Sequence, residues 1–102
     1  KLDSNHWPYA ASNLTWLGQR MTEQIEGGLY RDLDTLGNQI DNHDMARLAD
    51  ICHGDMSKIM NHIAWNMLAK GAPTIYYGTE VGEKSQRNSL WQYGWKQDTP
   101  LY

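Results

Sequence analysis

The sequence predicts an α/β fold, because helical and β-type patterns alternate along the chain. Two short β-prone runs occupy residues 36–40 and 73–77, and a long amphipathic pattern separates them. Two parallel strands cannot be joined by a tight turn, so the intervening helix has to cross over and cover one face of the sheet. These observations predict a βαβ unit, and a further helical pattern precedes it.

The first helix is predicted over residues 12–26. Its apolar residues recur at the three- and four-residue spacing of one helix face. They are Leu14, Leu17, Met21 and Ile25. The pair Gly27-Gly28 then stops the run, because glycine is a poor helix former and favours the turn that follows.

The clearest helix is predicted to follow Gly54, with either Asp55 or Ser57 as its N-cap. A broad apolar stripe marks the face that packs on the sheet. The stripe consists of Ile59, Met60, Ile63, Ala64, Met67 and Leu68. Gly71 is predicted to end this helix in a left-handed conformation, which glycine adopts without steric cost.

The two predicted strands are short and end in polar or turn residues. The run 36–40 is followed at once by a dense polar cluster, and the run 73–77 opens on Pro73 and closes on Gly78. A lone βαβ unit exposes two sheet edges and much of an apolar face. The pattern therefore predicts that these strands belong to a larger parallel sheet.

Composition indicates a soluble globular protein, with 40% hydrophobic and 21% charged residues. Nine Lys and Arg against twelve Asp and Glu give a net charge of −3, and no basic run follows a phosphate backbone, so we expect no nucleic-acid partner. No apolar run approaches the roughly 20 residues that cross a bilayer, and the N-terminus lacks the apolar stretch of a signal peptide, so we expect no membrane partner. The single Cys52 does not indicate a redox compartment.

The residues best suited to chemistry are Asp41-Asn42-His43-Asp44, directly after the first predicted strand, with Arg47 one turn onward. Two carboxylates, an imidazole and a guanidinium are expected to converge there. In a parallel α/β barrel the carboxyl ends of the strands form the active face, so a carboxylate here points at substrate. The alternative is a turn or helix-cap cluster, in which Asp and Asn are common.

Three ordered segments resemble the α-amylase family of glycoside hydrolases. Residues 36–44, which end in Asn42-His43-Asp44, are similar to the family's strand seven, and Arg47 follows at the family's spacing. Residues 71–80 resemble strand eight and its loop, and residues 86–91 resemble the stretch that follows strand eight in fungal-type members. The resemblance implies that residues 1–102 form the C-terminal portion of a catalytic TIM (β/α)8 barrel, covering strands six to eight. It is closer over 36–102 than over 1–35.

The resemblance also implies roles for individual residues. Asp44 takes the position of the catalytic carboxylate that stabilises the transition state, and His43 that of a residue which binds sugar hydroxyls. Glu83 and Arg87 match positions that hold an outlying glucose unit; the alternative is a solvated charge pair. Trp91 and Tyr77 are expected to pack in the interior rather than stack on sugars. Gln39 stands where the family has an apolar aromatic residue.

The implied function is hydrolysis of α-1,4-glucosidic bonds in starch-like glucans, but only as part of a larger enzyme. The family's nucleophile and general acid lie on strands four and five, which precede Lys1, so we do not expect the isolated chain to hydrolyse glucan. The expected partners are an α-glucan and the complementary barrel segments. No cofactor is expected in this segment; members of the family often bind calcium through other segments, so calcium is possible in the parent enzyme. The parent would be secreted if it follows the family.

Two other functions compete with this interpretation. The first is a non-catalytic amylase-like module that binds carbohydrate or serves as a scaffold. The second is a metal-dependent hydrolase, since acidic and imidazole side chains suit divalent cations. Its candidate ligands are Asp41, His43, Asp44, Asp50 and His53.

Overall fold

The computed structural model describes residues 14–95 and 97–102. The chain separates into two compact units, Lys1–Leu33 and Asp34–Tyr102, and each is described by itself. The first unit, over its described residues 14–33, contains one helix. The second unit contains the predicted strand, helix and strand.

Helix α1 covers Leu14–Glu26 and confirms the first predicted helix, whose residues 12 and 13 lie outside the described residues. Leu17 and Met21 are half-buried. The helix stops at Gly27, whose N–H donates to Glu23 O at 2.9 Å. A Cβ at Gly27 would lie 2.4 Å from that oxygen, so the close approach of the terminal turn requires glycine here.

Strands β1, Gly37–Gln39, and β2, Ala72–Thr74, pair in parallel and confirm the predicted βαβ unit. Asn38 lies opposite Pro73. The second strand begins one residue earlier than predicted and ends before the two tyrosines at 76 and 77, so those side chains belong to the loop that leaves the sheet. Both strands are three residues long, which gives each only a few ladder hydrogen bonds.

Two helices connect the strands. A short helix α2, Leu48–Ile51, was not predicted, because four residues are too few to show helical periodicity. Helix α3 covers Met56–Leu68, as the apolar stripe predicts. Its N-cap is Asp55, which accepts a hydrogen bond from Lys58 N at 3.3 Å. Ser57 lies inside the first turn instead.

The predicted role of Gly71, as the residue that ends helix α3, was wrong. Helix α3 already ends at Ala69, which is extended at φ −69° and ψ 152°. Gly71 has φ +124°, and a Cβ there would lie 2.7 Å from Leu36 O. Glycine is therefore required at this position because the chain enters β2 in close contact with the neighbouring strand.

The core of the second unit lies between α2, α3 and the loop after β1. Its buried apolar residues are Leu48, Ala49, Cys52 and Ile59, with half-buried Ile40, Ile63 and Leu101 packed around them. The other side of the predicted α3 stripe is exposed, since Met60 is 52%, Met67 53% and Leu68 85% exposed. In the part of the chain that the structure describes, no helix is long and apolar enough to span a membrane.

Candidate functional site

The loop after β1 is held in shape by Asn42. Its side-chain oxygen accepts hydrogen bonds from Asp44 N at 2.8 Å and Met45 N at 3.0 Å. This is an Asx-type turn, in which a side chain replaces a backbone acceptor. The turn fixes His43 and Asp44 at the carboxyl end of β1, and both side chains remain open to solvent.

Asp44 lies between an imidazole and a guanidinium. His43 Nε2 is 3.2 Å from Asp44 Oδ2, and Arg87 donates to Asp44 Oδ1 at 3.2 Å. The side chains of Asp44 and Arg87 are each 70% exposed, and that of His43 is 50% exposed. The structure therefore brings together three of the four predicted site residues on an accessible surface.

Arg47 does not join this cluster, contrary to the expected convergence of Asp41, His43, Asp44 and Arg47. Its side chain is fully buried, and Arg47 Nε donates to Asp41 Oδ2 at 2.9 Å. Asp41 is also buried and accepts from Leu48 N at 3.0 Å. Asp41 and Arg47 thus form a buried ion pair beneath the exposed pair, and the guanidinium beside Asp44 comes from Arg87 instead.

Arg47 connects the loop after β1 to the segment after β2. Its guanidinium donates to Tyr77 O at 2.7 Å, to Thr79 Oγ1 at 3.1 Å and to Ser85 O at 3.4 Å. It also lies over the ring of Tyr76, 4.6 Å from the centroid, in a cation–π contact. A single buried guanidinium therefore holds both loops that carry the exposed cluster.

Thr79 completes this buried network. Its hydroxyl donates to Asp41 Oδ1 at 3.0 Å and lies 2.8 Å from Tyr76 O. Gly78, just before it, has φ +88° and would bring a Cβ within 2.9 Å of the Glu83 side chain. Burial, helped by Tyr77, raises the pKa of Tyr76, so its phenol stays neutral beside this network.

Glu83 lies inside the second unit, with 3% of its surface exposed. Its carboxylate accepts hydrogen bonds from Tyr93 Oη and from Ser85 N. Burial alone would raise the pKa of Glu83, but these bonds and the charge of Arg47 outweigh it, and the pKa is lowered. The bond to Glu83 in turn raises the pKa of Tyr93. The structure does not place Glu83 in the exposed cluster with Arg87.

The predicted metal ligands do not come together as a donor set in the part of the chain that the structure describes. Over residues 14–95 and 97–102, no three His, Cys, Asp or Glu side chains are grouped to hold a metal ion. Asp41, the first candidate ligand, is instead engaged by Arg47, Leu48 N and Thr79.

Sequence reasoning missed part of the site. It gave no signal for the role of Thr79 or Tyr76, because their partners lie more than twenty residues away along the chain. The expectation that Trp91 packs in the interior was wrong, since it is 66% exposed. Tyr77 is 37% exposed, with its ring 4.6 Å from that of Tyr76.

Comparisons of the amino-acid sequence with known proteins place the chain in a family. A family model described as alpha-amylase, catalytic domain, matches residues 7–99. The chain is 38% identical over 77 residues to alpha-amylase 2 of Schwanniomyces occidentalis, covering 71% of this chain and 15% of that protein. It is 35% identical over 100 residues to alpha-amylase 1 of Schizosaccharomyces pombe, covering 92% and 16%. It is 30% identical over 74 residues to the intracellular maltogenic amylase of Bacillus subtilis strain 168, covering 72% and 13%.

These relatives are much longer than the region that matches. The chain spans only 13 to 16% of their length, and no solved structure matches it. One relative is named an intracellular enzyme, so family membership does not by itself assign secretion. The family's catalytic domain is a TIM barrel, and two parallel strands joined through a helix are the local pattern of that fold. The chain belongs to the alpha-amylase family of glycoside hydrolases and matches part of its catalytic domain.

Proposed function

We propose that this chain supplies the last strands of the catalytic barrel, strands six to eight, to an enzyme that hydrolyses α-1,4-glucosidic bonds in starch-like glucans. The observation that supports the proposal most is the position of Asp44, an exposed carboxylate at the carboxyl end of a parallel strand. Barrel enzymes hold substrate at that end of their strands. The nucleophile and general acid would come from barrel segments that complement this chain.

Asp44 would act by stabilising positive charge. Cleavage of a glycosidic bond passes through an oxocarbenium-like transition state. A fixed carboxylate beside the sugar favours that state over the neutral substrate, and this difference lowers the barrel enzyme's activation barrier. His43 and Arg87 flank Asp44 at 3.2 Å and would hold its carboxylate in place. Both carry N–H donors that suit sugar hydroxyls.

Glu83 is less accessible to a ligand than Arg87, because Glu83 is buried and Arg87 is exposed. The resemblance pairs them as the holders of an outlying glucose unit, and only Arg87 is exposed. Both carboxylate oxygens of Glu83 already accept hydrogen bonds, from Tyr93 and Ser85 N. To bind sugar, Glu83 would have to exchange Tyr93 for a hydroxyl of the ligand. Its role as a sugar-binding residue stays a prediction.

The test is a chimera in which this chain replaces the matched segment of the Schwanniomyces occidentalis alpha-amylase. We expect the chimera to hydrolyse soluble starch, measured as release of reducing ends. Asp44→Asn keeps the shape of the side chain and removes its charge, so we expect kcat to fall by roughly 100- to 1,000-fold. Asp50→Asn is the matched control, because Asp50 is an exposed acid on α2.

An active chimera whose kcat is unaffected by Asp44→Asn would contradict the catalytic role of Asp44. A chimera that folds and binds starch but never hydrolyses it would favour a non-catalytic carbohydrate-binding module. The Asp50→Asn control separates loss of a specific carboxylate from loss of surface charge in general. Thermal unfolding of each variant shows whether the fold is retained.

A further inference from the structure

Tyr76 lies in the loop that leaves β2, next to the residues of the exposed cluster. Its side chain is half-buried. The guanidinium of Arg47 lies over its ring, with the central carbon 4.6 Å from the ring centroid. This cation–π contact holds the ring against the buried network. No step proposed for Asp44 uses Tyr76, although its phenol contacts both loops of the site.

The ring of Tyr76 approaches the imidazole on one side of Asp44. The ring centroids of His43 and Tyr76 are 6.3 Å apart, and the two ring planes are tilted by 45°. This separation lies within the range of roughly 4.5 to 7 Å in which aromatic rings attract each other. A ring that is itself held by Arg47 therefore restricts where the exposed imidazole of His43 can lie.

The hydroxyl of Tyr76 reaches the segment that carries the guanidinium on the other side of Asp44. Tyr76 Oη donates to Gln86 O at 3.3 Å, and Gln86 directly precedes Arg87 in the chain. Arg87 in turn donates to Asp44 Oδ1 at 3.2 Å. Burial and the neighbouring Tyr77 raise the pKa of Tyr76, so the phenol keeps the proton that it donates. The hydroxyl thus ties down the backbone beside Arg87.

One side chain therefore reaches both flanks of Asp44, through its ring on one side and its hydroxyl on the other. We propose that Tyr76 is a positioning residue for glycosidic-bond cleavage: its ring places His43, its hydroxyl places Arg87, and both hold the Asp44 carboxylate in its productive orientation. A carboxylate that is already oriented needs no rearrangement during the reaction, so it stabilises the transition state more than a mobile one. The inference rests on the proposed function of Asp44.

The test uses the same chimera, with kcat and KM measured on soluble starch. Tyr76→Phe removes only the hydroxyl, so we expect kcat to fall by roughly three- to tenfold. KM should change little, because an interaction made only in the transition state affects kcat and not substrate binding. Tyr76→Leu also removes the ring, and its kcat should fall further. Tyr102→Phe is the matched control, because Tyr102 is a 65% exposed tyrosine of the second unit, and it should leave kcat unchanged.

A double-variant cycle shows whether Tyr76 acts through Asp44. Once Asp44→Asn has removed the charge, orienting the side chain no longer matters, so Tyr76→Phe should then change kcat by less than about twofold. A merely structural role would lower kcat by the same factor with Asp44 present or replaced. Thermal unfolding identifies any variant that fails to fold.

A measurement on the chain itself needs no hydrolysis. NMR relaxation of the arginine side-chain nitrogens gives the order parameter of each Nε–H bond. The order parameter of Arg87 should fall in Tyr76→Phe, because the backbone beside it loses its anchor. Arg20 is the internal control, since it pairs with Glu23 on α1 and should be unchanged.

Two results for a folded Tyr76→Phe variant would overturn the positioning role. One is an equal loss of kcat with Asp44 present or replaced, and the other is no change in either kcat or the Arg87 order parameter. A higher KM at constant kcat would also overturn it, because Tyr76 would then bind sugar directly.

The two proposals fail separately. A chimera that responds to Asp44→Asn and not to Tyr76→Phe retains the catalytic role of Asp44 and removes the positioning role of Tyr76. A chimera that does not respond to Asp44→Asn overturns the proposed function, and a lowered Arg87 order parameter would still show that Tyr76 positions Arg87.

Discussion

Arg47 holds together the two loops that carry the exposed cluster, although it is itself buried. It is fully buried and bonds to Asp41, to Thr79 and to two backbone carbonyls of the segment after β2. Arginine suits this position because its planar guanidinium presents several donors in fixed directions. The exposed pair of Asp44 and Arg87 spans the same two loops, which are tied together by a residue with no access to solvent.

The cost of losing Arg47 follows from the charge it leaves behind. Arg47→Met removes the guanidinium and leaves the buried carboxylate of Asp41 without its ion-pair partner. This change is expected to lower the free energy of unfolding by about 3 to 5 kcal/mol. Urea-induced unfolding followed by circular dichroism measures this. Arg20→Met is the control, since the Arg20 side chain is 80% exposed in its pair with Glu23 and should change stability by less than about 0.5 kcal/mol.

The double variant Arg47→Met with Asp41→Asn tests the reason for that loss. Without the carboxylate, no charge is left unpaired, so the double variant should be more stable than Arg47→Met alone. Equal or lower stability of the double variant would mean that the loss comes from packing around the guanidinium rather than from the stranded charge.

At the scale of elements, the start of α3 is defined by one side chain. Two residues near its N-terminus were candidates for the cap, and the structure selects Asp55, which accepts from Lys58 N at 3.3 Å. The cap defines where the helix begins, and Ile59, about one turn further along, is buried in the core at 2% exposed. The unpaired first turn of a helix needs such an acceptor.

Two substitutions near the start of α3 should differ clearly in their effect on the free energy of unfolding. Asp55→Ala removes the acceptor and should lower the free energy of unfolding by about 1 kcal/mol. Ser57→Ala, inside the first turn, should change it by less than about 0.5 kcal/mol, because alanine is a better helix former than serine. Equal losses at the two positions in chemical unfolding would contradict the assignment of Asp55 as the cap.

At the scale of the whole molecule, the dependence of stability on pH has a specific source. Tyr93 and Glu83 share a hydrogen bond that lowers the pKa of Glu83 below its ordinary 4.5 and raises the pKa of Tyr93 above its ordinary 10.0. Glu83 thus contributes stability above about pH 4.5 that is lost as pH falls through its lowered pKa. Tyr93 contributes stability below about pH 10.0 that is lost as pH rises through its raised pKa.

Tyr93→Phe should weaken the pH dependence at both ends. The free energy of unfolding of the variant is expected to be lower by about 1 to 3 kcal/mol near neutral pH, where the hydrogen bond to the charged carboxylate is formed. The difference should be smaller in acid or alkali. The measurement is the free energy of unfolding across the pH range for the original chain and the variant. Parallel curves over the whole pH range would show that the hydrogen bond between Tyr93 and Glu83 is not the source of the pH dependence of stability.

Local structure and family membership can be read from the amino-acid sequence alone. Helices α1 and α3 and both strands follow from apolar spacing and from glycine and proline positions, because those signals act between near neighbours. Three ordered segments, residues 36–44, 71–80 and 86–91, together carry the resemblance to the alpha-amylase family. The sequence did not show which guanidinium meets Asp44, or that Glu83 lies inside.

The partners of these side chains are set by long-range contacts in the folded chain. Asp44 and Arg87 are 43 residues apart, and Asp41 reaches Thr79 across 38 residues. Such contacts arise where two parallel strands end side by side and their loops meet, and local sequence carries no signal for that meeting. Arg47 turns inward for the same reason, because the buried Asp41 and the carbonyls after β2 together satisfy its donors.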